Sequence, residues 1–189
     1  MIVTVYNKQI DLSISVANVK LLVPFLLRNL GISTDEVIIH FVSKKAIGKV
    51  HDLSFQDPSP TDCISFPIDP PTTPESADKH RILGEVFVCP QVAIEYAKDH
   101  KEDPHKETTL YLIHGLLHLI GYDDITYSQR RKMRQMEQKC LQMSLPFPLC
   151  KKPIAAKTAN TFKGKTMFNL ESKTFLLVLL RILTALAVA

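Results

Sequence analysis

Apolar and polar residues change period several times along the chain, and each change marks an element. Residues 1–6 (MIVTVY) are β-branched and aromatic and predict a strand. Residues 16–30 carry apolar side chains at helical spacing and stop at Gly31; Pro24, inside that run, marks a kink or a boundary. Residues 36–43 (EVIIHFVS) alternate and then run apolar, which predicts a second strand, and 44–53 predict a short helix. The turn-rich stretch 55–62 leads into Cys63-Ile64-Ser65-Phe66-Pro67, a third strand that proline ends. Residues 69–80 hold Pro and Thr without periodicity and read as a surface loop. A fourth strand follows over 81–89 (RILGEVFVC), where Gly84 signals a bulge or the close approach of another backbone. Helices are expected over 91–100, 105–120 and 126–143. The last of these sets Met133, Met136, Cys140 and Met143 on one stripe, which reads as core packing rather than a cofactor box.

Four short strands interleaved with helices, and too few crossovers for a doubly wound sheet, predict an α+β domain. Its expected form is a small four-stranded mixed sheet packed with helices over residues 1–147, one helix carrying a zincin-like metal site. Beyond Pro146 the pattern changes. Residues 148–173 combine Lys, Pro, Thr and Asn with no apolar period, as a flexible basic linker does. Residues 174–189 form an apolar tail interrupted by Arg181, shorter than the roughly 20 apolar residues a bilayer span requires. The tail reads as an interfacial or docking helix, or as a segment without a role, rather than as a span; any membrane contact is expected through 174–189.

Composition narrows the class. With 46% hydrophobic and 22% charged residues, the chain is not of the intrinsically disordered kind. The formal net charge of +4 conceals a split: residues 1–150 hold 16 Lys/Arg against 18 Asp/Glu, and 151–189 hold 7 against one. The basic excess therefore belongs to the C-terminal segment. Cys63, Cys89, Cys140 and Cys150 show no C-x-x-C spacing, and the first residues read as a strand rather than a secretory signal. Reduced thiols and a cytoplasmic location are expected.

The chemistry concentrates in His114-Gly115-Leu116-Leu117-His118-Leu119-Ile120-Gly121-Tyr122-Asp123-Asp124. At 3.6 residues per turn, His114 and His118 lie one above the other on one helix face and can reach a single ion. Gly121 can turn the chain sharply past the helix end, so that Asp123 or Asp124 doubles back as a third ligand. Two imidazole nitrogens and one carboxylate, with a fourth position left to water, is a catalytic zinc arrangement. Zinc lowers the pKa of such a water toward ~7. The plainer reading is a pair of histidines hydrogen-bonded at the edge of a core.

The same stretch resembles the signature H-G-x-L-H-L-x-G-Y-D-H of the YbeY family, metal-dependent endoribonucleases that act as bacterial and organellar rRNA maturation factors. Pro60-Thr61-Asp62-Cys63-Ile64-Ser65-Phe66-Pro67 resembles the family's P-T-D-V-L-S-F-P segment, and Leu83-Gly84-Glu85-Val86 its L-G-D-I strand, in the same order. The resemblance implies a single-strand-specific, zinc-dependent endoribonuclease of 16S rRNA 3′-end maturation and ribosome quality control. Its partners would be an rRNA precursor and the ribosome or a ribosomal subunit. It also implies one zinc per chain, held by His114, His118 and Asp124. The family's third ligand is a histidine; the carboxylate of Asp124 serves zinc at a similar ~2.0–2.2 Å and shifts preference toward harder ions. Ser54-Phe55 stand where the family tends to have Tyr-Arg, and Phe55 lacks the paired donors with which an arginine grips phosphate.

No residue declares itself as a general base. Asp123 and Glu85 are the acidic candidates, and each also suits the orientation of a ligand imidazole. Arg130, Arg131, Lys132 and Arg134 follow the metal loop and are expected to contact RNA phosphates, with Lys44, Lys45 and Lys49 as a second group; the plain alternative is a solvated helix face. Two rival functions share these residues. A metallopeptidase has the same ligand spacing, but Gly115 stands where its general-base Glu would be. A ribosome assembly factor would hold the metal for structure alone.

Overall fold

The computed structural model describes residues 1–71 and 80–150; most of the expected loop at 69–80, residues 151–173 of the expected linker and the whole apolar tail lie outside the described residues. The elements run β1 (Ile2–Asn7), α1 (Val16–Asn29), β2 (Glu36–Phe41), α2 (Lys44–Phe55), β3 (Cys63–Pro67), β4 (Ile82–Val88), α3 (Pro90–His100), α4 (Pro104–Leu119) and α5 (Tyr127–Ser144). The sheet has the order β1-β2-β4-β3. β1, β2 and β4 are parallel, and β3 lies antiparallel to β4 at one edge. This is the expected mixed four-stranded α+β fold.

Alternation along the strands sends one set of side chains to the helices. Val3, Val37, Ile39, Phe41, Leu83, Val86 and Val88 meet Leu22, Val23, Leu26 and Leu27 of α1 and Leu112, Leu116, Leu117 and Leu119 of α4 in one buried core. Each such side chain contributes about 1.5–3 kcal/mol by leaving water. Met133 and Cys140 of α5 are buried in the same core, with Met136 and Met143 packed against it. The methionine stripe is thus packing.

α1 runs through Pro24 to Asn29, so that proline is not a boundary. Its buried stripe, Val19, Leu22, Val23, Leu26 and Leu27, holds the helix across the missing amide. α4 starts at Pro104, a residue before the expected start, because Asp103 accepts the His105 amide at 2.9 Å as its N-cap. This helix is buried around most of its circumference, lying against β3, β4, α3 and α5. Gly84 of β4 occupies a register slip against β2, and a side chain there would collide with the Phe66 carbonyl and come 2.7 Å from Leu119 Cδ2. The close approach expected of that glycine is present, and it sets β3 and α4 tightly against β4.

Packing continues past residue 147. The Ser15 amide donates to the Leu149 carbonyl at 2.7 Å, Leu149 is buried, and Ile14 bridges Cys150. All four cysteines are unpaired. Among the described residues no helix is long and apolar enough to cross a membrane.

Candidate active site

The last two turns of α4 carry the two histidines, and the loop after its end carries the third group. Gly121 (φ +94) donates to the His118 carbonyl at 3.0 Å, and the Tyr122 amide reaches the Leu117 carbonyl at 3.0 Å. That pair of bonds is a Schellman ending, which requires a left-handed residue where Gly121 stands. The chain then reverses, and one ligand atom each from His114, His118 and Asp124 lies within 4.8 Å of the other two. His118 Nε2 is 2.9 Å from His114 Nε2, and Asp124 Oδ2 is 4.0 Å from the latter. Two nitrogens at ~2.0–2.1 Å from one tetrahedral ion would stand about 3.3 Å apart, so the imidazoles need only a small adjustment to share one.

Behind the pair stands a residue the sequence reading did not single out. Glu137 of α5 places Oε1 2.6 Å from His114 Nδ1. A carboxylate only accepts, so Nδ1 carries the proton and the Nε2 lone pair faces the site. Burial by itself would lower the His114 pKa, but the Glu137 hydrogen bond and charge, helped by Asp62 and Asp124, raise it overall. A signal for Glu137 was present: it is the one acidic residue of α5, four residues after buried Met133 and three before buried Cys140.

The histidines open onto a cleft of about 570 Å³, lined also by His51 and Phe55 of α2, Cys63 and Ser65 of β3, and Tyr122. Burial, then the charges of Asp62, Glu137 and Asp124, push the Cys63 thiol well up, so it stays protonated. Gly115 lies against the sheet: a Cβ there would overlap Val86 Cγ1 and come 3.0 Å from Ser65 Oγ. The position that a metallopeptidase gives to its glutamate has no room for a side chain.

The predicted catalytic acids separate. Asp123 lines the cleft, but Oδ1 accepts the Asp124 amide at 2.8 Å and Oδ2 accepts from Gln129 at 3.3 Å, which makes it a brace of the ligand loop. Glu85 is not brought to the site. Its neighbour Val86 faces α4, so Glu85 points through the opposite side of the sheet, where Oε2 meets His40 Nε2 at 2.8 Å.

The basic residues divide as well. Arg130, Arg131 and Arg134 are exposed and line a shared hollow on α5 with Tyr127. Arg130 and Arg134 also flank a smaller hollow containing His114, Asp124 and Glu137. Arg130 donates to the carbonyls of Asp124 (3.2 Å) and Ile125 (2.7 Å), tying the ligand loop to α5. Lys132 is exposed and lines neither hollow. Of the second group, Lys44 is engaged with Glu95 at 2.5 Å.

A sequence profile described as Endoribonuclease YbeY matches residues 4–144. The Endoribonuclease YbeY of Protochlamydia amoebophila is 47% identical over 137 residues, 72% of this chain and 89% of that one. Its counterpart from Chlamydia abortus is 43% identical over 144 residues, 75% of this chain and 89% of its own. The solution structure of a Thermotoga maritima protein superposes with a TM-score of 0.54 at 22% identity, over 77% of this chain and 90% of the other, and speaks to the fold alone. With the profile spanning nearly the whole described domain and such relatives aligned along it, the chain belongs to the YbeY family of endoribonucleases, hydrolases of RNA phosphodiester bonds.

Proposed function

We propose that this chain is a zinc-dependent endoribonuclease that cuts single-stranded RNA in the cytoplasm, in maturation of the 16S rRNA 3′ end and in ribosome quality control. The observation that carries the reading is the convergence of His114, His118 and Asp124 at the wall of an open cleft. His114 Nε2, His118 Nε2 and a carboxylate oxygen of Asp124 would hold the ion. Bound there, zinc supplies an acidified water and a positive charge beside the phosphate.

The chain's own residues do the rest. Glu137 keeps the His114 lone pair aimed at the site. Arg131 and Arg134, exposed on α5, attract the phosphate backbone toward it. Phe55, 59% exposed on the cleft wall, offers a ring where the family tends to have arginine, so the substrate is gripped there by base stacking rather than by phosphate. Unstacked bases are a property of single strands, which favours that substrate. The rRNA precursor and the ribosome follow from the family resemblance, and the unpaired thiols suit a reducing cytoplasm.

A peptidase reading fails on Gly115, where no glutamate fits. A purely structural metal would be enclosed by four protein ligands, whereas three residues here converge beside an open cleft. The test is elemental analysis of the purified protein together with cleavage of single-stranded RNA by the wild type and by Asp124→Ala. One zinc per chain and cleavage are expected for the wild type, with both lost in the variant. Stoichiometric metal without cleavage by the wild type would favour an assembly factor instead.

A further inference from the structure

The cleft holds a third imidazole that the metal cluster does not use. His51 lies in the C-terminal half of α2, and only His114, His118 and Asp124 converge as ligands among the described residues. The other histidines are engaged away from the cleft: His40 with Glu85, His80 with Glu36, His100 with the Tyr96 carbonyl and His105 with the Ser13 carbonyl.

His51 is held in one orientation. Its Nδ1 lies 2.9 Å from the Ser59 carbonyl oxygen, which can only accept, so Nδ1 carries a proton in every protonation state of the bonded ring. That bond leaves Nε2 as the nitrogen open to a substrate. The carbonyl is itself fixed in place: the Ser59 amide donates to Asp57 Oδ1 at 2.8 Å, and Gly48 of α2 lets the Pro58 backbone approach so closely that a Cβ would be 2.9 Å from its oxygen. The imidazole also packs against the Phe55 ring, with centroids 5.4 Å apart, and its side chain keeps 20% exposure. The titratable groups facing it are Asp57, 3.9 Å from Nδ1, and, around the cleft, Cys63, His114, His118, Tyr122 and Asp123.

β3 contacts both α2 and α4 and lines the same cleft as His51 of α2 and His114 and His118 of α4. Displacement at phosphorus is in line, with the attacking and leaving oxygens on opposite sides. A phosphate seated with its attacking water at the α4 histidines and its departing ribose oxygen toward α2 would present that oxygen to His51. We propose that His51 is the general acid of RNA cleavage. The bond from phosphorus to the ribose oxygen breaks with its electron pair remaining on that oxygen, which takes the Nε2 proton of the imidazolium. The water oxygen joins phosphorus and its surplus proton goes to solvent; the neutral imidazole regains a proton from solvent, so one water is consumed per cut. This assignment rests on the RNA-cleavage reading above.

The test compares the metal-loaded full chain with His51→Asn, whose amide can still donate to the Ser59 carbonyl. Two substrates are used: a single-stranded RNA, and bis(4-nitrophenyl) phosphate, whose nitrophenolate departs without a proton. RNA cleavage is expected to fall about 10²-fold and nitrophenyl ester hydrolysis to stay within about twofold. Equal losses on both substrates, or RNA cleavage at the wild-type rate, would overturn the role. Should the Asn variant melt early, His51→Gln is carried through the same comparison, with the same two outcomes deciding. A wild type that hydrolyses the nitrophenyl ester but no RNA defeats the RNA reading itself, and with it this role.

Discussion

Glu137 and His114 lie 23 residues apart on different helices, and their side chains meet at 2.6 Å. This contact joins α5 to the ligand helix at the one nitrogen of His114 that faces away from the site. It fixes both the ring's rotation and its tautomer, and it gives the half-buried carboxylate a partner. Replacing Glu137 by Gln preserves the shape and removes the charge. Zinc affinity, measured by competition with a chelator, is expected to fall about 10–100-fold. An unchanged affinity would show that the carboxylate only packs.

The same contact sets a pH dependence. The His114 pKa is raised, since Glu137 outweighs the opposing effect of burial. Without metal, the pair's contribution to stability is fully present below the imidazole's unfolded pKa of ~6.5 and is lost as pH rises through the higher folded value. Metal binding runs the opposite way, because the ion and the proton compete for the imidazole. Zinc affinity should therefore climb with pH until that folded value is passed, and Glu137→Gln should move the climb to lower pH. Chelator competition at a series of pH values checks both directions.

Gly115 sits against Val86 and Ser65 with no space for a methyl group. Gly115→Ala must push α4 off the sheet or displace a core valine, at a cost of about 1–3 kcal/mol. The urea midpoint should fall accordingly. A variant as stable as the wild type would mean that the helix has slack there.

Arg134 flanks both hollows of α5 and reaches toward the ligand residues. Arg134→Ala should weaken binding to RNA of every sequence and reduce the slope of log affinity against log salt by about 0.7–1. Filter binding across a salt series measures this. Lys132→Ala, on a residue outside both hollows, is the comparison and should leave the slope nearly unchanged.

Glu85 is buried against His40, and that ring stacks on Phe87 with centroids 4.2 Å apart. Glu85→Ala leaves His40 Nε2 without this partner and should lower stability by about 1–3 kcal/mol. Zinc stoichiometry should not change. A stable variant that binds zinc and has lost cleavage would return Glu85 to the catalytic candidates.

The strands, the helices and the ligand triplet were legible in the chain because each depends on spacing over a few residues. His114 and His118 share a helix face by periodicity, and Gly121 announces the reversal that returns Asp124. The place of Glu85 was not legible, because an acidic residue in a strand next to a family motif carries no mark of which face it takes, and the register slip at Gly84 lies immediately before it. At Pro24 the chain left a kink or a boundary open, and the buried stripe of α1 removes the boundary by carrying the helix past it.

By itself, then, the sequence determined the elements, the α+β class and three residues able to meet at one ion, since side-chain direction within a helix and its ending is a local matter. Tertiary packing alone decided that Glu137 stands behind His114, that Gly115 excludes a glutamate, and that His51 shares a cleft with the ligand histidines. Those relations join residues distant in the chain, and they are set by how helices and strands close on a common core rather than by any periodicity along it.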